Sequence, residues 1–225
     1  MLRRNFIKKI LLFSLAFLSL KTKIMANSLF KPFNMEDGIF LNNYVMHKSS
    51  FKDFWKWRKE SNKPQPISFP VVKNNPSYLK SNKSEKTITW VGHSTFLIQI
   101  DGINILTDPH FTKRASPLNF MGPSRTTPPG LNIDNLPFID LVLISHNHYD
   151  HLDAKTIKLL LKKQNINQPI FFVPLKLKET ISKLGASNVI EQEWWQMSKY
   201  KNLEIHSVPV QHWSKRTFND TNKTL

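Results

Sequence analysis

The apolar run Leu141-Val142-Leu143-Ile144 has no polar break and stops at Ser145. A continuous branched run of this kind reads as a strand buried on both faces. Upstream, Thr87 to Val91 and Thr95 to Ile100 alternate as strands, and Asp101-Gly102 followed by Ile103 to Thr107 is a hairpin signal. Downstream, Ile157, Leu160 and Leu161 give residues 154–163 one apolar face, and Asp153 is a good N-cap for that helix. Ile170 to Val173 predicts a further strand, Leu177, Ile181 and Leu184 a second helix stopped by Gly185, and Val189-Ile190 and Leu203 to Val210 a continuation of the sheet. Strand, helix, strand, helix means an α/β layer, and ligands gather where the strands of open α/β sheets end.

The regions around this core have different patterns. Residues 27–86 are polar, with Pro at 32, 64, 66, 70 and 76, and are expected to form an arm rather than a domain. Within them Phe51, Phe54, Trp55 and Trp57 fit one face of a short helix, either packed on the core or dipping into a membrane. Residues 109–138 are irregular and Pro-rich, well beyond the ~12 to 15 residues at which structureless loops become uncommon, and such a loop usually has a job. Residues 1–26 read as an export signal: Arg3, Arg4, Lys8 and Lys9 precede the apolar run Ile10 to Leu20. That run falls within the ~7 to 15 residues of a signal-peptide core and is too short for the ~20 of a membrane span. The alternative is an uncleaved, membrane-associated amino-terminus. The expected organisation is therefore a segment 1–26, an arm 27–86 and a domain 87–225.

The 225 residues, 40% of them hydrophobic, allow one domain of ordinary size with a real core. There is no cysteine, which excludes disulfides and any thiolate metal site, so metal ligands must be nitrogen and oxygen. The formal charge of +16 favours anionic partners, lipid head groups or nucleic acid.

The chemistry concentrates after the buried strand, in His146-Asn147-His148-Tyr149-Asp150-His151. If extended geometry persists past Ser145, His146 and His148 lie on one side and reach one metal, while Asp150 and His151, at the following turn, point to a neighbouring position. A single histidine at a strand end is more often a satisfied polar residue than a ligand. Three imidazoles and a carboxylate within six residues instead mark a metal site, because each polar group left unsatisfied there would cost roughly 1 to 3 kcal/mol. Imidazole with carboxylate suits zinc best, with iron or manganese also compatible. Asp108, at another strand end, is either a carboxylate that orients a ligand histidine or plain turn chemistry before Pro109. Arg114 and Arg125 either hold a phosphate in the planar guanidinium fork or make structural ion pairs. His93, between two strands, is either a metal ligand or an interior polar contact, the interior contact being the expectation, and His206 is expected as structural. His110 gains no role, and His212 ends the last strand-like run as a further metal candidate.

His146-Asn147-His148-Tyr149-Asp150-His151 resembles the His-x-His-x-Asp-His signature of the metallo-β-lactamase superfamily. Ile88-Thr89-Trp90-Val91-Gly92-His93-Ser94-Thr95, Leu106-Thr107-Asp108-Pro109, Arg114-Ala115-Ser116-Pro117 and Met121-Gly122-Pro123-Ser124-Arg125 narrow the resemblance to the branch of N-acyl-phosphatidylethanolamine-hydrolysing phospholipases D. The resemblance implies an αββα four-layer sandwich, of which this chain carries the first half and part of the second. It implies two zinc ions, one held by His146, His148 and His212, the other by Asp150 and His151, with Asp150 and His151 serving catalysis. Arg114, Arg125 and Tyr149 become substrate contacts. A bridging aspartate and a final histidine expected of the family have no counterpart before Leu225, so one zinc is expected to bind tightly, and a separately encoded carboxy-terminal half would complete the fold. The implied reaction is phosphodiester cleavage in a phospholipid at a membrane surface, in an exported or periplasmic protein, with nucleic acid set aside. The alternatives are a lactonase or other carbonyl hydrolase on the same scaffold, and a catalytically silent fragment that binds zinc or lipid.

Overall fold

The computed structural model describes residues 34–44, 50–60, 70, 72–118 and 120–224. The expected export segment lies outside the described residues, as do the side chains of Phe51, Phe54 and Trp57. Two compact units divide the chain, Met1–Asp37 and Gly38–Leu225. In the first, the described residues include the two-residue strand Met35–Glu36. All that follows concerns the second, which takes in residues 38–86 together with the sheet.

Six strands form one sheet in chain order: β1 (Thr87–Gly92), β2 (Thr95–Ile100), β3 (Ile103–Thr107), β4 (Leu141–Leu143), β5 (Ile170–Pro174) and β6 (Val189–Gln192). The β1–β2 and β2–β3 pairs are antiparallel, and β3 to β6 run parallel. The hairpin signal at Asp101-Gly102 is realised, both residues having positive φ of 51° and 73°. Helix α1 (Phe51–Glu60) forms where the aromatic spacing predicted it, and α2 (Pro76–Ser81) precedes the sheet. Helices α3 (Ala154–Lys163) and α4 (Lys178–Lys183) connect the parallel strands.

The alternation within each strand divides the core into two faces. Leu97, Leu106, Val142 and Phe171 pack with Ile157 and Leu160 of α3 and Ile181 of α4. On the opposite face, Ile103, Ile105, Leu141 and Phe172 pack with Tyr200, Leu203 and Ile205. Those last residues belong to β7 (Met197–Tyr200) and β8 (Leu203–His206), which form a separate two-stranded antiparallel sheet. Leu203 and Ile205 therefore cover the main sheet instead of extending it, and the strand ends at His206, short of the expected Val210. Trp194 is buried while Trp195, with φ of 69°, is 69% exposed, so a turn separates the two rings.

The sheet ladder continues briefly past its formal ends. Asp108 donates its N–H to Leu143 O at 2.8 Å, and Ile144 donates to Phe172 O at 3.0 Å. Leu141 and Val142 are fully buried between strands on both sides, at roughly 1.5 to 3 kcal/mol per large side chain. This anchoring delivers Ser145 and the histidines beside Asp108 at one edge of the parallel strands.

Candidate metal centre

Past β4 residues 144–147 have no regular secondary structure, and the chain turns at 148–151. His151 and Leu152 both donate to His148 O, at 3.1 and 2.8 Å. Asp153 then caps α3, accepting from Lys155 N and Thr156 N, as the sequence predicted. Its other oxygen accepts from Thr112 N at 3.1 Å and Thr156 Oγ1 at 2.6 Å, which ties the Pro-rich loop to the histidine loop.

This path produces two donor clusters. In the first, His146 Nε2 lies 2.8 Å from His148 Nδ1, and His212 Nε2 lies 3.3 Å from the same atom. Three imidazole nitrogens at metal bonds of about 2.0–2.1 Å in tetrahedral geometry stand about 3.3 Å apart, so the arrangement fits one cation with little rearrangement. The second cluster is His93, Asp150 and His151, with one donor atom from each within 4.8 Å of the others. The clusters adjoin, the His146 and His151 ring centroids being 4.0 Å apart.

Asp108 sets the orientation of both clusters. Its Oδ1 accepts from Ser145 N at 2.7 Å, and its Oδ2 accepts from Ser145 Oγ at 2.7 Å and from His151 Nδ1 at 2.8 Å. Ser145 Oγ has one proton and gives it to Asp108, so at 2.9 Å it accepts from His146 Nδ1. The network thus assigns protons to Nδ1 of His146 and His151 and leaves both Nε2 atoms as lone-pair donors facing the clusters.

The electrostatics agree with metal binding. Burial, reinforced by the neighbouring His151, His148 and His212, pushes His146 down to about 3. His148 and His212 are lowered as well, mainly by burial and then by neighbouring imidazoles. Neutral imidazoles are the form that binds a cation. Burial would lower His151 too, but the hydrogen bond and charge of Asp108 outweigh it and raise this histidine. Burial works to raise Asp150, and the charges of His151 and His93 with a backbone hydrogen bond outweigh it, holding the carboxyl below its usual range.

A cavity of about 660 Å³ opens beside the second cluster, lined by His93, Asp150 and Arg125 together with Trp90, Ile88 and Val72. The Arg125 guanidinium donates through Nε to Thr112 O at 3.1 Å and through Nη2 to His110 O, so its fork is committed to loop carbonyls and it presents charge to the cavity. It lies over Gly92, where a Cβ would come 2.7 Å from Nη1. Buried His110, for which no role was expected, packs its Nδ1 3.2 Å from Arg125 Nη2. Arg114 donates to Gly122 O at 2.6 Å and lines a separate depression with Tyr149 and Arg216. Tyr149 donates to Arg216 O at 2.9 Å, under a guanidinium 4.1 Å from its ring centroid.

Three further contributors carried no local signal. Arg216 Nη1 donates to Asn147 O and Leu152 O, each at 2.8 Å, bracing the histidine loop from the carboxy-terminal segment. Asp220 accepts from Arg216 N and Thr217 N, so its carboxylate shapes that segment's turn. Asn42 Oδ1 accepts from His212 N at 2.8 Å, so residues expected as an arm hold a candidate ligand in place. Ser145, by contrast, adjoins the motif and could have been found there.

The profile of the Beta-lactamase superfamily domain matches residues 103–225. A Mycobacterium tuberculosis protein described as uncharacterized is 32% identical over 200 residues, covering 85% of this chain and 52% of that protein. N-acyl-phosphatidylethanolamine-hydrolyzing phospholipase D 1 of Caenorhabditis elegans is 38% identical over 147 residues, covering 61% of this chain and 40% of that one. The mitochondrial N-acyl-phosphatidylethanolamine-hydrolyzing phospholipase D of Saccharomyces cerevisiae is 35% identical over 157 residues, covering 67% and 33%. The chain thus spans about half or less of the length of these curated relatives. Among solved structures, a metallo hydrolase from the archaeon Ignicoccus hospitalis superposes with a TM-score of 0.43 at 22% identity, over 61% of this chain and 52% of that chain.

Proposed function

Starting from the chain's membership of the β-lactamase superfamily, we propose that it is a zinc-dependent phosphodiesterase of the phospholipase D type acting on N-acyl-phosphatidylethanolamine. The observation that carries the reading is the pair of adjoining donor clusters beside a cavity whose wall combines Arg125 with exposed Trp90, Ile88 and Val72. A charged phosphodiester and an acyl chain need that combination of cation and apolar surface. The names of the nematode and yeast relatives support the same substrate class.

Zinc, when bound, supplies Lewis acidity that activates water near neutral pH and offsets charge on phosphoryl oxygens. His146, His148 and His212 would hold one ion; Asp150 and His151 would contribute to a second. The chain's own groups do the positioning. Asp108 fixes the tautomers of His146 and His151, and Arg125 attracts the anionic diester to the cavity wall. The Asp150 carboxylate, anionic at neutral pH and next to the cavity, accepts the proton of the attacking water. The water oxygen bonds to phosphorus, the bond from phosphorus to the ethanolamine oxygen breaks, and the leaving oxygen takes the proton that Asp150 received. The products are an N-acylethanolamine and phosphatidic acid. The charge of +16 supports action at an anionic membrane surface, and the basic and apolar amino-terminal segment supports export. Among the described residues no helix is long and apolar enough to cross a membrane.

The test is N-acylethanolamine release from phospholipid vesicles, read by mass spectrometry alongside lactone turnover, with a chelator-stripped control for each. Zinc-dependent release from phospholipid is expected. Turnover of lactones with none of phospholipid would sink the substrate assignment and favour the carbonyl-hydrolase alternative.

A further inference from the structure

The β1–β2 turn carries an imidazole that the sequence assigned to an interior contact. His93 follows Gly92 in the left-handed region, with φ of 52°, and its side chain is 48% exposed. The turn is held by Trp90 Nε1, which donates to His93 O at 2.9 Å. The ring extends across to the histidine loop, placing Nε2 2.9 Å from Asp150 Oδ2. The same carboxylate oxygen is 3.7 Å from His151 Nε2, and the His93 and His151 centroids are 5.0 Å apart.

We propose that His93 is a protein ligand of the second metal position, completing a three-donor set with Asp150 and His151. The competing account is a surface ion pair with Asp150, an interaction worth about 0 to 1 kcal/mol. That account explains one distance. The ligand account explains three features together. The donor separations of 2.9 and 3.7 Å bracket the roughly 3.3–3.5 Å expected between ligands bonded at about 2.0–2.2 Å. Two imidazole nitrogens and a carboxylate oxygen form a set suited to zinc. Finally, the His151 tautomer is already fixed by Asp108, so this position has the outer support that metal-binding histidines have. The inference does not depend on which ester is cleaved. It replaces the expectation that only one metal binds tightly, because the second position gains a third donor from a strand turn more than fifty residues upstream.

The test uses the full chain, stripped of metal and titrated with cobalt(II) as a visible-absorption stand-in and with zinc by calorimetry. His93→Asn is the informative substitution: asparagine tolerates positive φ, so the turn survives while the imidazole and its Nε2 donor are lost. Wild type should take up two equivalents. His93→Asn should keep the first unchanged and weaken the second by about tenfold or more, with an altered spectrum for that equivalent. A substituted chain with unchanged second affinity and spectrum overturns the proposal, as does a wild type that takes up one equivalent. If the substituted chain does not fold, the imidazole nitrogen resonances of the wild type decide: His93 Nε2 should shift between the first and second zinc equivalents, and an unmoved resonance overturns the assignment.

Discussion

Asp108→Asn tests the orienting network most searchingly, because it changes no volume and only exchanges an acceptor for a donor. The carboxylate accepts three hydrogen bonds, from Ser145 N, Ser145 Oγ and His151 Nδ1. With the amide oxygen kept towards Ser145 N, the amide nitrogen faces Ser145 Oγ and His151 Nδ1 and can only donate. His151 must then accept at Nδ1 and carry its proton on Nε2, the atom that faces the second cluster. Ser145 Oγ, now an acceptor from the amide, turns its proton towards His146 Nδ1, which moves the His146 proton to Nε2 as well. Metal binding would have to reverse both tautomers and leave donor facing donor, at roughly 1 to 3 kcal/mol for each group unsatisfied. Disrupting such outer partners typically weakens metal binding about 10- to 100-fold, or about 1.4 to 2.7 kcal/mol for each position. Calorimetric zinc titration of the metal-free chain measures the affinities, and imidazole nitrogen chemical shifts report the tautomers. An Asp108→Asn chain that binds zinc within twofold of wild type, with both protons still on Nδ1, would refute the network as the determinant of ligand geometry.

Two other outcomes follow from the same geometry. His146 titrates near 3 in the fold against an ordinary 6.5, so above pH 6.5 it is neutral in both states and contributes no pH dependence, while below it the unfolded chain binds a proton that the fold excludes. That group alone should reduce the stability of the metal-free chain by up to about 1.4 kcal/mol per pH unit between 6.5 and 3. Lowered His148 and His212 act in the same direction. Raised His151 acts oppositely, its contribution being present below 6.5 and lost as pH rises through its folded value. The urea midpoint should therefore fall from pH 7.5 to 5, and a higher midpoint at pH 5 would contradict the burial argument. Arg216→Ala should cost about 1 to 3 kcal/mol, since two carbonyls lose their donor and Tyr149 its stacked cation. Thermal denaturation checks this, and an unchanged transition would show that the histidine loop holds itself.

The histidine loop was legible because its chemistry is packed into six consecutive residues behind a buried strand, and Asp108 because it ends a neighbouring strand. The parallel sheet was legible for the same local reason: periodicity two and periodicity 3.6 alternate along the chain. What escaped depends on tertiary approach. His93 reaches Asp150 because a left-handed turn redirects its ring, and nothing in Gly92-His93-Ser94 says where that ring ends. Asn42 supports His212 from 170 residues away, and Arg216 supports Asn147 from 69 away, so no local period could carry either contact. The run Leu203 to Val210 shows the alternation of a strand, but alternation does not specify a pairing partner. The pairing of Leu203–His206 with Met197–Tyr200 makes that part a cover over Ile103, Leu141 and Phe172 instead of another strand of the main sheet. Arg125 stood out in an irregular loop, yet its use of Thr112 O and His110 O depends on how that loop folds back.

The central claim is that His146, His148 and His212 together hold a divalent metal ion. X-ray absorption on the chain loaded with one equivalent of zinc measures it most directly, compared with His148→Ala at the same loading. The account predicts three imidazole nitrogens at about 2.0–2.1 Å in the wild type. In the substituted chain it predicts loss of that first shell and weakened retention of zinc. A wild-type shell with one imidazole or none, or a His148→Ala chain with an unchanged shell and affinity, would contradict it.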